Sequence, residues 1–195
     1  PTTAVLCRLP FSQTPCIATA NETKLQIYSY IDSKLLLLWE KNYWAKIIAI
    51  FAHHESDYDS LILVCDISNV VVLKQVGGID LQEVEFHQFH QFESDEPESS
   101  CIRYPTKAII DPKDSCIALL VGNSTIYFLT LSQPEMFDIN KHPQIQTGQH
   151  SKWETINGAI SFDLIKDYNP PLYRIRDIKF LEGYKCPTLA ILHEP

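Results

Sequence analysis

Three hairpins of one plan recur along this chain, and a chain that repeats one hairpin folds as a series of equivalent sheets. They run from Pro15 to Tyr28, from Asp59 to Leu73 and from Ser115 to Leu129. In each, a short apolar segment leads into a polar turn, at Asn21-Glu22-Thr23, at Asp66 to Asn69 or at Gly122-Asn123-Ser124. A second apolar strand then returns over Leu25 to Tyr30, Val70 to Lys74 or Thr125 to Leu131, which implies antiparallel pairing through a short connection.

Each hairpin is flanked by further strand-like runs. Thr3 to Leu9, Lys46 to Ala52 and Lys107 to Ile110 precede them; Leu35 to Glu40, Leu81 to Phe86 and Ala159 to Ile165 follow. Short segments dense in Val, Ile, Leu, Tyr and Phe, punctuated by Asn, Asp, Gly, Pro and Ser, leave no room for a long amphipathic helix. The fold class is therefore all-β, and four antiparallel strands per unit make a β-propeller blade of non-WD type.

The repeats begin about 45 and 55 residues apart, against ~40 to 50 for common propeller repeats. The excess falls in two stretches expected to be surface insertions, mobile or ordered by a partner. Residues 91–104 carry the acidic run Glu93, Asp95, Glu96 and Glu98, and residues 133–158 are rich in Gln, His, Asn and Pro. A fourth unit opens with Ile175 to Leu181 and Thr188 to Leu192. Closed propellers need at least about four blades, so the expectation is one partial propeller domain over residues 1–195, an N-terminal fragment with about three blades and part of a fourth.

The charge balance narrows the partners. Sixteen basic against 24 acidic side chains give a net charge of -8, with no excess of Lys and Arg to neutralise phosphates, so an autonomous nucleic-acid binder is not expected. The longest apolar runs, Leu35 to Trp39 and Ile47 to Ala52, are far short of the roughly 18 residues of a membrane-spanning helix. The scattered cysteines Cys7, Cys16, Cys65, Cys101, Cys116 and Cys186 read as reduced, favouring cytosol or nucleus. The sequons at Asn21 and Asn123 read as chance triplets.

Catalytic and metal chemistry finds little support. His87 and His90 stand in H-x-x-H spacing near His53-His54-Glu55, but strand alternation sends the first two to opposite faces. Asp57, Asp59, Asp111 and Asp114 flank expected turns, where Asp accepts backbone hydrogen bonds. Gly77-Gly78 fits a hairpin turn, and no nucleophile elbow or C-x-x-C occurs. Most of the aromatics Trp39, Trp44, Tyr127, Phe128 and Phe180 lie in core-like strands. Met136, Phe137 and Trp153 are the exceptions, apolar side chains inside a polar insertion, and are the candidate partner-binding residues.

The stretch from Arg176 to Pro195 carries the pattern D-x-x-F-L-x-G-Y-x-x-P-T-L-x-I-L-x-E-P, set by Asp177, Phe180, Leu181, Gly183, Tyr184, Pro187, Thr188, Leu189, Glu194 and Pro195. It resembles the first propeller of the large subunit of cleavage and polyadenylation specificity factor. Thr23 to Tyr30 and the Asp111-Pro112 turn with its following strand resemble that family in the same order. The resemblance implies a nuclear, non-catalytic scaffold of three propellers without a cofactor. Such a scaffold holds WD-repeat and zinc-finger subunits that read the polyadenylation signal, while a separate metallo-β-lactamase subunit cuts. Two sister families share the architecture: the damaged-DNA-binding adaptor of a cullin ubiquitin ligase and a propeller subunit of splicing factor 3b. A propeller enzyme is the remaining alternative, and the inner-strand candidates Val5 to Cys7, Ile47 to Ala49 and Ala108 to Ile110 offer it no repeated polar residues.

Overall fold

The first sheet is a meander of β1 (Thr3–Cys7), β2 (Cys16–Asn21), β3 (Lys24–Ile31) and β4 (Lys34–Asn42), hydrogen-bonded in chain order. It belongs to a computed structural model that describes residues 3–54, 57–66, 69–75, 80–88, 105–121, 125–131, 154–156, 159–163, 175–185 and 187–194. Alternation decides its faces: Cys16, Ala18 and Ala20 of β2 and Leu25, Ile27 and Ser29 of β3 are buried, with half-exposed residues between them. The β3–β4 turn holds Asp32 and Ser33 both at positive φ, 50° and 63°, the backbone of a type I′ hairpin whose twist matches its strands. In the β2–β3 turn Glu22 takes a φ of 54°.

The second sheet repeats the plan with β5 (Ile47–His54), β6 (Asp59–Cys65), β7 (Asn69–Gln75) and β8 (Leu81–Gln88). Every residue of β6 is buried, as are the first five of β7, so Ser-Leu-Ile-Leu-Val and Val-Val-Val-Leu are apolar without alternation because both strand faces are buried. Between the first two sheets lies one core, where Cys7, Ala18, Leu25 and Ile27 meet Ile47, Ile50, Leu61, Leu63, Val71 and Leu73. Backbone hydrogen bonds stitch them as well: Ile47 N–H donates to the Glu22 carbonyl at 2.9 Å, and Asp59 N–H to the Arg8 carbonyl at 2.8 Å. These sheets make up the unit Pro1–Tyr104.

The second unit, Pro105–Pro195, holds a sheet of β9 (Pro105–Ile110), β10 (Cys116–Val121), β11 (Thr125–Thr130), β12 (Glu154–Ile156) and β13 (Ala159–Asp163), in the order β12-β13-β11-β10-β9. Beside it stands the antiparallel pair β14 (Ile175–Leu181) and β15 (Thr188–His193). Cys116, Ala118, Leu120, Ile126, Ile175, Ile178 and Phe180 form their common core.

The protein is thus all-β and antiparallel, with the four-strand meanders of propeller blades, and no helix occurs among the described residues. The third sheet departs from the expected four strands. It has a fifth, β12, inside the stretch 133–158 expected to be all insertion. Ile156 pairs with Ala159 and only Asn157-Gly158 separates them in sequence, the dipeptide that most favours a two-residue hairpin. The rest of that insertion, and residues 91–104, lie outside the described residues.

Candidate interaction surfaces

At the junction of the first two sheets, a buried carboxylate gathers partners from both. Asp59, whose side chain is 1% exposed, accepts the Arg8 N–H at 2.7 Å through Oδ2. Its Oδ1 lies 2.9 Å from Nδ1 of His54 and 3.9 Å from the Arg8 guanidinium. His54 and Asp59 pair directly across β5 and β6, while Arg8 follows the end of β1. Asp59 therefore acts across the sheets, beyond the turn-capping role that its place in the sequence suggested. At the far edge, Trp39 Nε1–H donates to Asp80 at 2.7 Å and Lys41 pairs with Glu83 at 2.9 Å.

Asp111 does what an Asp beside a turn is expected to do. Its carboxylate accepts Ser115 Oγ–H at 2.7 Å and Lys113 N–H at 3.2 Å, while Asp114 turns the chain at a φ of 59°. The stretch that carries the family pattern becomes the β14–β15 hairpin. Phe180 is buried opposite Leu189, and Ile178 is buried opposite the half-buried Ile191. Asp177 accepts the Ile178 N–H and pairs with Lys107 of β9; the Lys107 hydrogen bond holds its carboxyl below the usual range. Arg176 pairs with Glu194, and Gly183 takes a φ of 86° in the connection, where a side chain would be strained. Leu181 and Tyr184 are exposed, Pro187 and Thr188 half-buried, and Pro195 lies outside the described residues. Within the pattern Phe180 and Leu189 pack in the hairpin, Asp177 and Glu194 are ion-paired, and Gly183 turns the chain.

The candidate partner-binding residues Met136, Phe137 and Trp153 lie outside the described residues, as does His90. His53 and His54 are neighbours on one strand and point to opposite faces. Tyr127 and Phe180 are core residues and Trp39 packs partly against the core, but Trp44, in the β4–β5 connection, is exposed. Among the described residues no group of three or more His, Cys, Asp or Glu side chains is placed to hold a metal ion. Burial pushes the Cys7 and Cys116 thiols up to about 12 and Cys65 up to about 11, so these three stay protonated and unreactive at neutral pH.

Several basic side chains are paired with acids. Arg8, Lys24, Lys41, Lys46, Lys107 and Arg176 each pair with a carboxylate, so at least six of the 16 cations are neutralised within the protein. What the sequence left unmarked is an apolar surface on the first sheet, where Leu6, Tyr30, Leu35 and Leu37 are all exposed.

No protein-family model matches the chain. It is similar to Protein cft1 of Schizosaccharomyces pombe, 26% identical over 144 residues that cover 70% of this chain. The chain accounts for 9% of the length of that relative.

Proposed function

We propose that this chain belongs to a non-catalytic, protein-binding scaffold of nuclear pre-mRNA 3′-end cleavage and polyadenylation, and that it meets RNA only through partner subunits. The observation that carries the assignment is the likeness to Protein cft1 over 70% of the chain, which runs with the family pattern in β14 and β15. The geometry supports the division of labour. Thiols raised by burial offer no nucleophile, and lysines and arginines tied to carboxylates offer little to a phosphate backbone. Antiparallel sheets instead present loops and sheet edges, the surfaces on which protein contacts are built.

Affinity purification of the natural polypeptide from nuclear extract tests this reading. WD-repeat and zinc-finger polyadenylation subunits are the expected companions. Recovery of a cullin, or of splicing subunits, in their place would move the chain to one of the sister families.

A further inference from the structure

Thr14-Pro15 is the single place in the sequence where a Ser or Thr precedes a Pro, and it stands in the connection between β1 and β2. Gln13, Thr14 and Pro15 are exposed, while Leu9 is buried and Phe11 packs against the core, so one limb of the connection is anchored and the other is open. Pro15 has no N–H and disfavours a helical Thr14, which leaves the dipeptide extended ahead of β2. The Thr14 hydroxyl is the centre of a small cluster. Its Oγ1 lies 2.6 Å from Oγ of the buried Ser29 and 3.4 Å from Oγ of Ser12.

A cation stands on the facing limb. Cys7 and Cys16 pair directly at the ends of β1 and β2, a pairing that sets α-carbons ~4.5 to 5.5 Å apart, so Arg8 and Pro15 leave that pair side by side. The Arg8 side chain is 59% exposed and its guanidinium is loosely held, 3.9 Å from Asp59. Asp59 keeps the Arg8 N–H and His54 as partners when that guanidinium turns away.

We propose that Thr14 accepts a phosphoryl group from ATP through a proline-directed protein kinase, and that Arg8 receives the phosphate. In the transfer Oγ1 bonds to the γ-phosphorus as the bond from that phosphorus to the bridging oxygen breaks. ADP leaves with the electron pair, and the hydroxyl proton passes to the catalytic carboxylate of the kinase. The phosphothreonine carries a charge of about -1.5 to -2 and three acceptor oxygens. Ser12 and Ser29 donate their hydroxyls to it, and the Arg8 guanidinium donates as a fork across the connection. The phosphate thereby ties the open limb to the anchored one. The inference is independent of the polyadenylation assignment.

The test treats the natural polypeptide and its Arg8→Gln variant with a cyclin-dependent kinase and Mg-ATP, beside a synthetic peptide of residues 9–19. Arg8→Gln keeps the N–H that Asp59 accepts, so the first sheet retains its tie to the second. Fragment mass spectrometry locates the phosphate, and hydrogen exchange follows the amides of residues 8–15. Phosphate at Thr14 in both folded proteins is expected. Exchange should slow about threefold on phosphorylation of the natural sequence, as one exposed ion pair gives, and should not slow in Arg8→Gln. Phosphorylation of the peptide without the folded protein, or of neither, would overturn the site. Exchange that is unchanged, faster, or slowed equally in Arg8→Gln would overturn the part given to Arg8.

Discussion

Replacing Asp59 by Ala should destabilise the first unit by about 2 kcal/mol, a figure that follows from its three contacts with Arg8 and His54. The bond from the Arg8 N–H to a buried carboxylate is charge-assisted and carries ~1.5 to 3 kcal/mol; losing it leaves a partly buried donor unmade. The His54 contact adds less, ~0.5 kcal/mol, because the imidazole is largely in water. The Arg8 guanidinium at 3.9 Å is also mostly exposed and adds little. Against these gains stands the cost of burying the carboxylate, which the substitution relieves. The Asp59 N–H still reaches the Arg8 carbonyl, so strand pairing survives. Asp59→Asn keeps the volume and one acceptor and should lose about half as much; His54→Ala should lose least. Urea denaturation gives the ranking from midpoints at unchanged slope. Hydrogen exchange at the Arg8 amide gives the mechanism, since that proton should exchange faster in Asp59→Ala than in His54→Ala. A loss under 0.5 kcal/mol with an unchanged Arg8 amide would refute the clasp.

Ile178→Ala, at a fully buried position of β14, should cost ~2 to 5 kcal/mol, whereas Leu189→Ala and Ile191→Ala on half-buried β15 should cost about half of that; equal midpoints in urea for all three variants would count against the packing of this hairpin. Cys7, Cys65 and Cys116, buried and raised to about 11 or 12, should resist iodoacetamide at pH 8 in the native protein and react on unfolding; rapid native labelling of any of the three would contradict their burial. Fluorescence anisotropy with an oligonucleotide bearing the polyadenylation signal should show at most weak, salt-sensitive binding. Submicromolar, sequence-selective affinity would overturn the scaffold reading.

Repetition made the strands legible. Three hairpins spelled by the same apolar-turn-apolar plan located β2–β3, β6–β7 and β10–β11, and the runs around them located β1, β5 and β9. Local chemistry sufficed there because a hairpin pairs residues close in sequence. β12 was equally local: Asn157-Gly158 announces it, but the polar composition around the dipeptide hid a three-residue strand. Asp59 was not local. Its partner Arg8 lies 51 residues away, so its neighbourhood in sequence said turn while its neighbourhood in space says clasp.

The apolar surface of the first sheet shows a different limit. Register assigns Leu6, Ile17, Tyr28 and Leu37 to one face and Val5, Ala18, Ile27 and Trp39 to the other, a β-bulge at Leu38 setting Leu37 and Trp39 on opposite faces, and both sets are apolar. Nothing in either set distinguishes a face that is covered from one that is open, because burial depends on neighbours far away in sequence and not on the side chains of the strand itself. Charge runs the other way. The excess of acid over base was visible in composition, and the structure adds that Lys24, Lys41, Lys46 and Lys107 are each paired with a carboxylate. A chain with more acid than base, with several of its cations paired to carboxylates and with an apolar sheet face open to solvent is chemically suited to packing against protein, and poorly suited to following a phosphate backbone.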